Sequence, residues 1–281
     1  MNIIDYLRLI RFPNDLIVGI GVIIGELVAA RSIPLFSHMV IGFLVGFLIS
    51  ASVMIINDVA DLEIDKINNP NKPLVKGAMS PRHAIIHAIV YGGLGVILSF
   101  FNTIYNFLVA IFFWFVGISY NFYFKKKGLI GNMFVSMSVA IPFIYGNMII
   151  GNIDSNVIIL SAAAFLTNTF REIIKGIIDI KGDKSFNVKT LAVTYGPRKA
   201  YYISLPFLAS AIIVSIIPFI YNSLPNMVNY SIFIIFTDLT LIISGVLPLL
   251  KNLSSSSLLL SKRICLGGMF LGMLSFIAGI F

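Results

Sequence analysis

The sequence predicts an all-α integral membrane protein of nine transmembrane helices in a bundle, with a cytoplasmic N-terminus and its functional site at the cytoplasmic face. Three observations carry that reading. Of 281 residues, 58% are hydrophobic and only 11% are charged, against roughly a quarter charged in soluble domains. Apolar stretches of membrane-spanning length recur along the whole chain, each span needing roughly 20 residues. Lys and Arg fall almost entirely in alternate connections. Together these exclude a water-soluble domain, a disordered chain and, with Cys265 the only cysteine, an intramolecular disulfide or a cysteine-based metal site. A net charge of +8 in so apolar a chain points to membrane orientation or anionic ligands rather than nucleic acid.

Apolar spans are expected at 14–30, 37–56, 83–101, 105–120, 131–150, 156–178, 200–221, 229–250 and 262–281. Arg8 and Arg11 precede the first, and LVAARS loosely resembles a small-residue cleavage site, yet eight further spans favour a retained first helix. Lys66, Lys72, Lys76 and Arg82 follow the second span, Lys125, Lys126 and Lys127 the fourth, and Lys181, Lys184, Lys189, Arg198 and Lys199 the sixth. Lys251, Lys262 and Arg263 bracket the last connection, and only Arg31 falls on the opposite side. By the positive-inside rule the N-terminus and the basic loops are cytoplasmic, and an odd number of spans puts Phe281 outside. The chain reads as a single membrane domain over 1–281, and the long polar loops 57–82 and 179–199 are where function is expected.

The second span runs into NDVADLEIDKINNPNKPL, which spaces Asp58, Asp61 and Asp65 by three and four residues. On a continuing helix, at about 100° per residue, the three carboxylates and Asn57 share one face, with Glu63 on the other. Carboxylates so placed repel unless a cation lies between them, and hard oxygen ligands suit Mg²⁺. The alternative is a solvated helix end neutralised by Lys66 and Lys72. A second cluster shifts the balance. REIIKGIIDIKGDK, at the end of the sixth span, puts Asp179 and Asp183 one turn apart, with Glu172 and Lys175 on the same face. The charge pattern places both clusters at one membrane face, where they could flank a pocket holding a Mg²⁺-bridged polyphosphate. The Asp-rich ends of the two spans also hint at an internal echo.

NDVADLEID with the following NKPL segment resembles the NDxxDxxxD motif of the UbiA family of intramembrane prenyltransferases. DIKGD resembles that family's second motif, DxxxD, and nine helices is the family's number. The stretch from Arg171 to Ala200 and the opening LRLIRFPNDLIVGIGVIIGEL are most similar to the archaeal branch acting on a glyceryl phosphate ether. The resemblance implies Mg²⁺-dependent transfer of a prenyl group from its diphosphate to an acceptor. Asp58, Asp61, Asp65, Asp179 and Asp183 would be the catalytic metal ligands. Substrate-binding roles would fall to Arg8, Arg11, Asn14, Asn57, Lys72, Tyr120, Asn121, Lys125, Lys126, Glu172, Lys175 and Lys189. Expected partners are a prenyl diphosphate donor, a lipid-like glyceryl phosphate acceptor and membrane lipids, with no nucleic acid. Geranylgeranyl diphosphate and geranylgeranylglyceryl phosphate are the expected pair, and an aromatic acceptor such as 4-hydroxybenzoate stays open. A secondary transporter is the rival of another class, but it would place its acids near the midplane, where only Glu26 and Asp238 qualify. His38, His83 and His87 suggest no metal site.

Overall fold

The computed structural model describes residues 3–124, 127–151, 153–185 and 188–281. Among these it contains helices and no strand. A two-turn helix, α1 (Ile3–Leu9), precedes α2 (Phe12–Ala30), α3 (Phe36–Ala60), α4 (Leu62–Asn68), α5 (Pro81–Ser99) and α6 (Ile104–Ser119). A π-helical turn (Tyr120–Phe124) extends α6, and α7 (Gly128–Ile150), α8 (Ser155–Ile178), α9 (Ile180–Ser185) and α10 (Leu191–Tyr195) follow. The chain closes with α11 (Pro197–Ser215), α12 (Ile217–Tyr221), α13 (Met227–Leu250) and α14 (Ser255–Ile280). Among the described residues, nine helical stretches are long and apolar enough to cross a membrane, as the hydropathy of the chain requires.

Local chemistry sets where these helices begin. Pro13, Pro81 and Pro197 sit in first turns, where a missing N–H costs nothing. Side chains of Ser80, Thr103, Asp154 and Asn226 cap the helices that follow them. The last span corrects the expected boundary. It starts at Ser255 rather than at 262, because Ser254 accepts from the Ser257 N–H and turns the serine run into a helix start. Lys262 and Arg263 therefore lie inside α14 and not in a loop.

Successive spans pack side by side and α14 returns to α2, so the bundle closes as a ring. Cross-packing of α2 on α7 and of α8 on α14 ties its two sides together. The innermost span is α8, and α6 is the most exposed. The α2/α7 contact is backbone-close. A Cβ at Gly25 would run into the Phe143 carbonyl, and one at Gly146 into the Val22 carbonyl. Such approaches are how membrane helices associate without a hydrophobic drive between them. Outward-facing Ile86, Phe112, Phe115 and Ile235 are exposed, as lipid contact demands.

Both Asp-rich spans depart from the single continuous helix expected. The first ends at Ala60, and Asp61 takes φ −92°, ψ 2° before α4 resumes. The second ends at Ile178, and Asp179 takes φ −87°, ψ 6° before α9. In each case the N–H of the Asp four residues on bonds back to the junction carbonyl: Asp65 to Asp61 at 2.8 Å, Asp183 to Asp179 at 3.0 Å. The echo in the sequence thus extends to the backbone.

Replacing Gly146 by Leu should destabilise the protein by about 1–3 kcal/mol through overpacking against backbone atoms that cannot yield. The measure is the Tm in detergent, with Gly267→Leu, where a Cβ meets open space, as the unaffected control.

Candidate active site

Arg11 occupies the junction between α1 and α2 with a left-handed backbone, φ 52° and ψ 49°. That conformation is unfavourable for a side-chain-bearing residue and turns its guanidinium toward the end of α3. There it donates to Asn57 Oδ1 at 3.1 Å and to Asp58 Oδ1 at 2.7 Å. Lys72, from the turn after α4, donates to the same Asp58 Oδ1 at 2.8 Å and to Asp65 Oδ2 at 2.6 Å. Asn69 Nδ2 reaches Asp65 Oδ1 at 3.1 Å. Two buried carboxylates are thereby neutralised by two cations, the condition under which charge can be buried. Glu63 points away and pairs with Lys66 on the surface, as the spacing predicts.

Asn57 links a third helix. Its Nδ2 donates to Asn121 Oδ1 at 2.7 Å, and Asn121 Nδ2 donates to the Gly117 carbonyl at 3.1 Å. The π turn brings Asn121 inward and leaves Tyr123 exposed. Widened turns of this kind recur at functional sites.

Across the opening, α8 presents an ionic group of its own. Arg171 Nη1 donates to Glu172 Oε1 at 2.9 Å and lies 3.4 Å from Asn168 Oδ1, while Lys175 Nζ is 3.5 Å from Glu172 Oε2. Arg171 Nε is buried and, among the described residues, has no hydrogen-bond partner. Asp183 is half-buried on α9, and Asp179 is exposed. Burial first, then the Asp179 carboxylate, pushes the Asp183 carboxyl up, against the pull of Thr190 and Lys175.

A cavity of about 1130 Å³ opens among these groups, with Asp58, Asp179 and Asp183 off its wall. Its mouth carries Arg11, Asn14, Asp61, Asp65, Lys72 and Asn121 on one side and Asn168, Arg171, Glu172 and Lys175 on the other, with Tyr120 between. Below, the walls are apolar and aromatic: Phe113, Phe134, Phe143, Met273 and Phe276 all contribute. The cavity reaches Asp238 near the middle of α13, whose Oδ2 accepts from Ser215 at 2.9 Å. Glu26 is buried away from it, and among the described residues neither of its oxygens has a partner.

Sequence and structure differ at several positions. Arg8 and Lys189 are exposed and off the cavity wall. Asp179 and Asp183 flank the mouth from α8–α9 without lining it, because the break at Asp179 turns the chain aside. Lys125 and Lys126 lie outside the described residues. The spacing predicts Asp58, Asp61 and Asp65 on one face of a continuing helix, around a cation. Among the described residues no three acidic, His or Cys side chains converge as a metal cage. Lys72 instead gathers Asp58 and Asp65, and Asp61 faces the cavity from the helix break. Asn69, Asn168 and Arg171 were not singled out from sequence. An arginine inside an otherwise apolar span, beside Glu172, is the sequence signal that could have found Arg171.

The UbiA prenyltransferase family matches residues 18–276. The chain belongs to the UbiA family. Curated relatives include digeranylgeranylglyceryl phosphate synthase of Methanococcus aeolicus, 34% identical over 275 residues covering 98% of this chain and 96% of the relative. The enzyme of that name from Thermococcus kodakarensis is 35% identical over 213 residues, 76% of each chain. A solved structure of digeranylgeranylglyceryl phosphate synthase superposes with a TM-score of 0.84 at 30% identity, covering 98% of this chain and 97% of that one. A UbiA homologue from Archaeoglobus fulgidus bound to GPP and Mg²⁺ shares the fold at a TM-score of 0.74 and 20% identity, covering 97% of this chain and 99% of that one. The protein is thus a multi-pass membrane prenyltransferase, which sets the transporter reading aside.

Asn57→Ala should lower stability by about 1–3 kcal/mol, since it leaves the buried Asn121 Oδ1 without its donor and removes an acceptor from Arg11. Thermal unfolding in detergent checks this, and Asn229→Ala, at a remote helix start, provides the comparison.

Proposed function

We propose that the protein transfers a geranylgeranyl group from geranylgeranyl diphosphate to the hydroxyl of geranylgeranylglyceryl phosphate, releasing diphosphate in the synthesis of archaeal ether lipids. The observation that carries this reading is the cavity: apolar along its length, with cationic groups on opposite sides of one polar mouth, Arg11 with Lys72 and Arg171 with Lys175. Two lipid substrates, each with an anionic head, need that combination. The names of the curated relatives supply the acceptor and agree with it.

The donor set fits Mg²⁺. Asp58, Asp65 and Asp61 offer hard oxygen ligands, Asp58 and Asp65 already sharing one cation, and Mg²⁺ needs only one or two carboxylates with the phosphates it neutralises. When bound, it would stabilise the negative charge that develops on the leaving diphosphate. Lys72 and Arg171 would hold phosphate oxygens and lower the same charge, and charge prearranged in a water-poor site is often the largest catalytic contribution. As the allylic C–O bond to diphosphate breaks, the carbon forms an ether bond to the acceptor oxygen, whose proton passes to the departing diphosphate. Tyr120, Phe113 and Phe134 line the dry space where the electron-poor carbon would lie, and ring faces favour positive charge there.

Asp61→Ala and Asp65→Ala should each lower kcat/KM by about 10²–10⁴ while the protein still inserts and folds, and EDTA should abolish turnover. The assay is release of diphosphate with melting profiles alongside; normal turnover in these variants would exclude the metal-ligand roles.

Arg11→Gln should change KM more than kcat, whereas Arg8→Gln, exposed and off the wall, should leave both substrates' kinetics unchanged. Steady-state kinetics with donor and glyceryl phosphate varied in turn, beside a 4-hydroxybenzoate control, tests the acceptor. Efficient prenylation of 4-hydroxybenzoate with no uptake by the glyceryl phosphate would overturn the assignment.

A further inference from the structure

One ammonium serves both outer carboxylates of the first motif. Lys72 Nζ lies 2.8 Å from Asp58 Oδ1 and 2.6 Å from Asp65 Oδ2, and both aspartates are almost fully buried. Arg11 adds a second cation on Asp58 Oδ1, so two negative and two positive charges balance within the cluster. A Mg²⁺ ion binding carboxylate oxygens at about 2.0–2.1 Å would need the space that the ammonium fills. A divalent ion arriving alone would therefore have to expel Lys72 and leave that charge unpaired at the edge of the apolar cavity, a costly state. Arriving with a diphosphate, it brings the oxygens onto which the ammonium can move.

We propose that Lys72 is an exchangeable counter-ion that closes Asp58 and Asp65 to free divalent cations and releases them only when a diphosphate accepts its ammonium, so that metal and donor bind as a pair. Only the side chain need move. The backbone of Lys72 is held by its N–H to the Asn69 carbonyl and its carbonyl to the Lys76 N–H, both at 3.0 Å. The consequence is directional: the carboxylates are not exposed to adventitious metal between turnovers, and donor binding and metal binding become mutually reinforcing, as linkage requires. The inference rests on the proposed function only in taking a diphosphate as the donor's head group.

The experiment measures Mn²⁺ binding to the full-length protein in detergent by equilibrium filtration, with and without saturating inorganic diphosphate and without acceptor. Lys72→Gln and Lys72→Met are compared with Lys66→Gln, which removes the same charge from a surface pair outside the cluster. The unmodified protein and Lys66→Gln should bind Mn²⁺ weakly alone and at least about tenfold more tightly with diphosphate. The two Lys72 variants should bind Mn²⁺ alone about tenfold more tightly than the unmodified protein, with the effect of diphosphate reduced. Equal Mn²⁺ affinity with and without diphosphate in the unmodified protein would overturn the proposal whether or not the variants fold. Unchanged or weaker Mn²⁺ binding in folded Lys72 variants would overturn it as well. Failure to prenylate a glyceryl phosphate would leave these results standing, so the two readings fail separately.

Discussion

The arrangement of the mouth follows from one constraint: carboxylates at the end of an apolar bundle must be neutralised where water is scarce. Asp58 and Asp65 meet it by sharing Lys72, with Arg11 on the opposite flank of Asp58. Because a buried unpaired charge costs several kcal/mol, these contacts also dictate backbone. Arg11 accepts a left-handed conformation between α1 and α2 to reach Asp58, and the turn after α4 folds back so that Lys72 can span two carboxylates. Charges that would serve a phosphorylated substrate are therefore the same ones that fasten the segments at the cavity mouth onto the bundle.

Helix breaks give that network its shape. An α3 continuing straight through Asp65 would carry its carboxylates out along the helix axis, beyond the cavity. Ending at Ala60 and restarting at Leu62 turns Asp61 and Asp65 onto the cavity wall. The matching break at Asp179 sends α9 aside, so the second motif flanks the mouth while Glu172, a turn and more earlier on α8, faces inward. Similar backbone at the two motifs serves unlike ends, one lining the cavity and the other bordering it.

Beneath the mouth, the ring of spans makes a space that no single helix could enclose. Close approach of α2 and α7 at Gly25 and Gly146 draws those backbones together, Gly268 and Gly272 let α14 pack against Leu241 and Thr237 of α13, and Gly267 adds no side chain to the cavity wall. Aromatic rings on α6 and α7 line the space directly under the charged rim. A polar head held at the rim and a hydrocarbon chain below it are accommodated without exposing either to the wrong solvent, which is the physical requirement of a reaction between two lipids.

The sequence by itself determined the number of membrane-spanning stretches, nearly every span and the residues with ionic chemistry, because hydropathy and charge are local properties that a bilayer reads directly. Spacing put Asp58, Asp61 and Asp65 on one helix face with Glu63 outward and Asp179 one turn from Asp183; the charge pattern set both clusters at one membrane face, and the family resemblance implied a shared metal-ligand role. Which of them line the cavity was decided by tertiary structure, since helical periodicity extrapolates a straight helix and cannot register a break at Asp61 or Asp179 set by the packing around it. The same holds for Arg171 and Asn168: their span reads as apolar, and they matter only because α8 lies innermost with that face toward the cavity. Sequence reasoning already offered Lys72, with Lys66, as a counter-charge to the acidic helix end, but that one ammonium joins Asp58 and Asp65, fourteen and seven residues away, was decided by the fold-back of the turn after α4.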